Sequence, residues 1–285
     1  MKQVCTLCGN GKRRWHKEPM EYLTLNNGVQ MPVIGFGTWD VRGEQGKRSI
    51  LEALEAGYRL IDTAQMYNNE DIVGEAMKKS GLARDEVFIT TKLYRPCASY
   101  QGAKDGIERS LNTLQTDYID LFLIHEPYDN ALEMYEALKE AHQAEKIRAI
   151  GISNFDAKRY KRFVSSCDVL PAVNQVESHV YFPQLELKTL LDSYGTQMQS
   201  WASFTEGRRD IFSEPQLTQI GAKYGKSSAQ VALRFLVQNG IAVIPKSVHR
   251  KRMEQNLAIF DFHLSQEDMK QIKSLDGGKS LFGWY

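Results

Sequence analysis

Short aliphatic runs alternate along this chain with amphipathic segments. The runs are VIGFGTW (33–39), RLIDTA (59–64), VFITTKL (87–93), YIDLFLIH (118–125), IRAIGISN (147–154), AVNQVESH (172–179), TQMQSWAS (196–203) and IAVIPKS (241–247), eight in all. Between them apolar positions recur at helical spacing, as in EQGKRSILEALEAG (44–57), EDIVGEAMKKSG (70–81), YQGAKDGIERSLNTL (100–114), ALEMYEALKEAHQAEK (131–146) and SSAQVALRFLVQNG (227–240). Several of these segments end on Gly just before the next run, as a helix C-cap should. Ahead of the first run, YLTLNNGVQMP alternates around Asn27-Gly28, which predicts a β-hairpin. Strict strand–helix alternation predicts parallel pairing with right-handed crossovers. Eight such units in about 250 residues fit an α/β fold, a closed (β/α)8 TIM barrel preceded by the hairpin. The rival is an open doubly wound sheet, which would carry G-x-G-x-x-G after its first strand to bind a dinucleotide; IGFGTWDVRG lacks the third glycine.

Composition narrows the classes. With 285 residues, 42% of them hydrophobic, the chain can build one core of barrel size. Met20 reads as the start of the folded unit, so residues 1–19 are expected to be a loose extension and 20–285 a single domain. The 36 basic and 35 acidic residues nearly cancel, so neither nucleic acid nor an anionic membrane is an expected partner. No apolar run approaches the roughly 18 residues of a membrane span, and no secretory signal is evident. A cytoplasmic monomer is the expectation. Cys5 and Cys8 form a C-x-x-C, but His16 would give only a third ligand, and Cys97 and Cys167 stand alone. No metal site is expected.

The runs finish on polar or aromatic residues: Trp39, Asp62, Lys92, His125, Asn154, Gln175, Trp201 and Lys246. In a barrel these C-terminal ends share one rim, where active sites are built. Asp62, Tyr67, Lys92 and His125 come from three neighbouring strands. A tyrosine has a pKa of about 10, which a close ammonium lowers by stabilising phenolate. A carboxylate behind the lysine keeps the ammonium charged. A histidine opposite can orient a carbonyl oxygen or pass a proton. The set suits protonation of an oxygen as negative charge builds on it, the requirement of carbonyl reduction.

At this point the chain resembles the aldo-keto reductase family from about Met20 to Asp276: GFGTW, RLIDTAQMYNNE, ITTKL, LIHEP, GISNF, NQVESH and IPKSVHRKRMEQN fall in the family's order and spacing. The resemblance maps a catalytic tetrad onto Asp62, Tyr67, Lys92 and His125, with Tyr67 as general acid. It implies NADP(H) as cofactor and a small aldehyde or ketone as substrate. By the same resemblance Ser153, Asn154 and Gln175 pair with the nicotinamide carboxamide and Trp201 stacks on the ring. Lys246, Ser247 and Arg252 hold the extra 2′-phosphate, Gln255 and Asn256 meet adenine, and Thr38 and Trp39 also face the cofactor. The expected substrate rim is Tyr94, Glu126 and Phe155, with Trp39 and Trp284.

Three departures stand out. The stretch WASFTEGRRDIF replaces the usual Ser-Pro-Leu-Gly after the stacking residue, which puts the contacts of residues 202–207 in doubt. Glu126 stands where a tryptophan is common, and a carboxylate there is expected either to raise the pKa of His125 or to bias the pocket against anionic substrates. Val180 replaces a proline, with no catalytic change expected. His179 and His249 are expected to be structural or surface residues. Two other readings compete: an NADP-binding regulatory subunit with little turnover, and an aldolase-like barrel with Lys92 as a Schiff-base lysine.

Overall fold

The computed structural model describes residues 20–283. Cys5, Cys8 and His16 of the expected extension, and Trp284 of the expected rim, lie outside the described residues. Strands β1 (Tyr22–Thr24) and β2 (Gln30–Pro32) pair antiparallel across the Asn27-Gly28 turn. Eight strands follow: β3 (Phe36–Gly37), β4 (Leu60–Asp62), β5 (Phe88–Leu93), β6 (Ile119–Ile124), β7 (Ile147–Ser153), β8 (Val173–Glu177), β9 (Gln197–Trp201) and β10 (Ala242–Val243). They pair in parallel in sequence order. A parallel bridge between Ile34 and Val243 closes the sheet, with Gly35 N–H donating to Val243 O and Val243 N–H to Val33 O, each at 2.8 Å. The predicted barrel is therefore the fold. Its closure needs close backbone approach at Gly37, where a Cβ would lie 2.6 Å from the Ile244 carbonyl oxygen.

The five helices anticipated from periodicity are present as α1 (Gly43–Ala56), α2 (Glu70–Ser80), α3 (Tyr100–Leu114), α4 (Ala131–Gln143) and α8 (Ser228–Gln238). Gly57 and Gly81 adopt the left-handed conformation that ends α1 and α2. Also packed around the barrel are α5 (Ala157–Val164), α6 (Leu185–Ser193), α7 (Pro215–Tyr224), α9 (Arg250–Leu257) and α10 (Gln266–Lys273). None is long and apolar enough to cross a membrane.

The period of two along each strand sorts the core into two layers. Outward residues such as Ile61, Ile89, Phe122 and Ile150 pack under the helices. Inward residues, among them Leu60, Phe88, Leu121, Leu123, Ala149, Val173 and Ala242, fill the barrel together with Leu25 and Met31 of the hairpin. The hairpin thus plugs one end of the barrel. Each inward run reaches the other end on a polar side chain: Leu60 leads to Asp62, Leu123 to His125 and Val173 to Gln175.

Candidate active site

Lys92 is the centre of the polar rim. It is fully buried, and an enclosed ammonium must satisfy three donors. It donates to Asp62 Oδ1 at 2.5 Å, to the Thr63 carbonyl at 2.9 Å and to the Tyr67 hydroxyl at 3.4 Å. An amine so enclosed is not presented as a nucleophile, which removes the basis for the aldolase-like reading. Asp62 accepts a second bond on Oδ2 from Gln175 Nε2 at 2.7 Å. Burial pushes Asp62 up and Lys92 down, each toward its neutral form, against their mutual attraction. The hydrogen bonds suit the charged pair, since every contact on the carboxylate is a donor and every contact on the ammonium an acceptor.

Tyr67 follows β4 in a 3-10 turn, Gln65–Tyr67, which brings its phenol back over the rim. The ring lies edge-on to both Trp39 and His125, at 5.0 and 5.7 Å between centroids. The expected fall in its pKa is not what the site produces. Burial first, then the charges of Asp62 and Glu206, hold the phenol well above its ordinary range, so Tyr67 carries its proton. His125 is lowered to about 3 by burial and by the Lys92 charge. It is a neutral imidazole near neutrality, able to form hydrogen bonds but not charged as an imidazolium. The expected upward push from Glu126 is absent, because that side chain is itself raised by burial and faces the Arg95 charge.

The amides and hydroxyl of the rim knit the strands together. Ser153 Oγ donates to the Gln175 carbonyl at 2.7 Å. Asn154, in a left-handed conformation at φ 65°, donates to the His125 carbonyl at 3.1 Å and accepts from the Trp201 indole N–H at 2.8 Å. Thr38 Oγ1 donates to the Asp62 carbonyl. All these residues border one cleft of about 510 Å³, together with Trp39, Tyr67, His125 and Lys246.

The basic segment leads away from that cleft. Lys246 borders it and is exposed, Ser247 bonds to His249 at the turn into α9, and Arg252 lies exposed in the first turn of that helix. Arg250 is engaged by Glu55 and Glu254, at 2.6 and 3.1 Å. Among the described residues Lys246 and Arg252 form no ion pair, so their charge is available to an anion. Gln255 is exposed, whereas Asn256 is buried beside the Tyr58 phenol.

Phase across a strand end explains the misplaced residue. Phe155 is buried against Phe163 under the helices, with ring centroids 5.0 Å apart, and does not reach the cleft. The left-handed turn at Asn154 breaks the alternation and throws the next side chain outward. Tyr94 and Glu126 are half-buried and do not line the cleft. His179 is buried and bonded to Glu177 at 3.1 Å, and His249 is exposed.

Three contributors escaped the sequence reading. Gln199 accepts from Gln175 below the rim at 2.7 Å. Phe282 meets the Trp201 indole edge-on at 4.9 Å and borders the cleft. Glu206 also borders the cleft, in a loop where Ala202, Thr205 and Glu206 all take positive φ. The period of two finds Gln199, since it lies two residues before Trp201 and must point the same way. No sequence signal marks Phe282.

Comparison with known proteins agrees with this geometry. The model of the Aldo/keto reductase family matches residues 33–277. A glyoxal reductase of Bacillus subtilis (strain 168) is 42% identical over 254 residues, covering 88% of this chain and 91% of the relative. The crystal structure of the aldo-keto reductase MGS-M4, from a Medee basin deep-sea metagenome library, superposes with a TM-score of 0.88 at 39% identity, covering 90% of this chain and 96% of that one. An aldo-keto reductase solved in complex with NADPH superposes with a TM-score of 0.86 at 30% identity, covering 92% and 90%. With its barrel closed and the family's motifs gathered at one end of it, this chain belongs to the aldo/keto reductase family of oxidoreductases.

Proposed function

We propose that the protein is an NADPH-dependent carbonyl reductase acting on small aldehydes and ketones, with 1,2-dicarbonyls of the glyoxal type as the first class to test. The observation that carries this reading is the contact between a protonated phenol and a buried ammonium, Tyr67 and Lys92 at 3.4 Å, at the edge of an aromatic cleft. The donor set also fits the cofactor: the Trp201 indole offers a flat apolar wall, and Lys246 and Arg252 offer exposed cations suited to phosphate. NADPH, when bound, supplies the hydride.

The residues then divide the work. Lys92 donates to the phenol oxygen, so the Tyr67 proton is directed away from the ammonium, toward the cleft. His125 Nδ1 is buried without a partner among the described residues, which leaves Nε2 to hold the substrate oxygen as a neutral donor. As that oxygen becomes an alkoxide, the conjugate base of a group about as weakly acidic as water, Tyr67 can protonate it even with a raised pKa of its own. The phenolate left behind is stabilised by Lys92, and Asp62 and Gln175 hold Lys92 in place. Trp39 and Phe282 narrow the cleft and limit water around the reacting oxygen.

The test is a panel of glyoxal, methylglyoxal, benzaldehyde and a ketosugar with NADPH and with NADH, followed by loss of reduced-cofactor absorbance. Turnover with NADPH and much weaker turnover with NADH is expected. Tight NADPH binding with no turnover across the panel would favour the regulatory-subunit reading instead.

A further inference from the structure

Gln199 lies one inward position below Trp201 in β9 and is fully buried. Its Nε2 is sealed from solvent without a partner among the described residues, a loss of stability that an apolar residue would avoid. What the position gains is an acceptor. Gln199 Oε1 takes a 2.7 Å hydrogen bond from Gln175 Nε2, whose other hydrogen goes to Asp62 Oδ2, also at 2.7 Å. Asp62 alone would decide which end of the Gln175 amide points inward, but one hydrogen bond leaves the amide plane free to turn about it. Two acceptors on one nitrogen fix the plane. Gln175 Oε1 then accepts no hydrogen bond from the described residues, on a side chain that borders the cleft.

We propose that Gln199 is a positioning residue for cofactor recognition: it locks the Gln175 amide so that Oε1 meets an N–H of a primary carboxamide and repels a carboxylate in the same place. Gln199 touches neither cofactor nor substrate. The inference rests on the cofactor reading above and adds a selectivity to it, for the amide over the acid on the pyridine ring.

The experiment compares NADP+ with its nicotinic acid analogue, in which a carboxylate replaces the carboxamide, by titrating the quench of tryptophan fluorescence. The wild-type protein is expected to bind NADP+ at least tenfold more tightly than the analogue. Gln199→Met, which keeps the length and removes the acceptor, should weaken NADP+ about tenfold and leave the analogue nearly unchanged, so the preference collapses. Gln199→Glu keeps an acceptor and should retain the preference; Gln199→Ala carries the same test as Met should the thioether not pack. A preference unchanged in the Met or Ala variant, or equal weakening of both ligands, overturns the proposal, since purely structural damage would not distinguish them. Failure of the wild-type protein to bind NADP+ at all would instead overturn the cofactor reading.

Discussion

Replacing Lys92 with methionine tests the charge arrangement under the phenol. The side chain is fully buried, and Asp62, 1% exposed, depends on it for neutralisation. Removing one member of a buried pair leaves an uncompensated charge and costs about 3–5 kcal/mol. Asp62→Asn should cost a comparable amount, because the buried Lys92 ammonium would lose its counter-charge and keep only neutral acceptors, among them the Thr63 carbonyl and the Tyr67 hydroxyl. The double variant removes both charges and keeps an acceptor for Gln175, so its loss should fall at least about 2 kcal/mol short of the sum. Acidity supplies a second check. Burial already raises Asp62 above the ordinary aspartate range, and loss of the ammonium raises it further. A carboxyl with a raised folded pKa keeps its full stability below the unfolded value and loses it as pH rises toward the folded one. The Lys92→Met deficit relative to wild type should therefore be smaller at pH 5 than at pH 7. Urea unfolding followed by tryptophan fluorescence measures both effects. Single losses that add within about 0.5 kcal/mol would refute the coupling, and a deficit that grows on acidification would refute the sign.

Other consequences follow from single residues. His125, lowered to about 3 from 6.5, binds a proton in the unfolded but not the folded state between those values, so stability falls as pH falls through that window, by at most about 1.4 kcal/mol per unit; His125→Asn should flatten that slope in urea midpoints at pH 7, 6 and 5, and an equal slope would contradict the neutral imidazole. Arg252→Ala should raise the KM for NADPH ten- to a hundredfold, as expected for a charged hydrogen bond of about 1.5–3 kcal/mol, while changing NADH less than threefold; equal effects on both would remove Arg252 from the phosphate site. Gly37→Ala forces a Cβ to 2.6 Å from a backbone oxygen at the barrel seam and should lower stability by about 1–3 kcal/mol, read as a lower urea midpoint with unchanged slope.

The barrel was legible because short, mostly aliphatic runs end on a polar or aromatic residue, and the helices between them carry a clear 3.6 period. The same feature exposed Asp62, Lys92, His125 and Trp201, since a polar or aromatic residue ending such a run has only the rim to occupy. Phe155 was misread because the left-handed turn at Asn154 changes the phase of the chain just where the strand stops. Gln199 was passed over because a glutamine inside a strand looks like a solvent-facing residue until its parity with Trp201 is counted. The direction of the Tyr67 shift depended on how deeply the phenol sits, which sequence does not encode: burial there outweighs the nearby ammonium. Phe282 reaches the cleft only because the C-terminal segment is tied down, with Ser280 and the Leu281 N–H donating to buried Glu177 at 2.5 and 2.8 Å.

The account's central claim is that Tyr67 delivers the proton. Tyr67→Phe removes one hydroxyl and keeps the ring that packs on Trp39 and His125. Single-turnover reduction of methylglyoxal by the NADPH-loaded variant should be slower than wild type by a factor of about 10²–10⁴, with the NADPH dissociation constant changed less than threefold. Reduction at the wild-type rate by a variant that binds NADPH normally would contradict the claim.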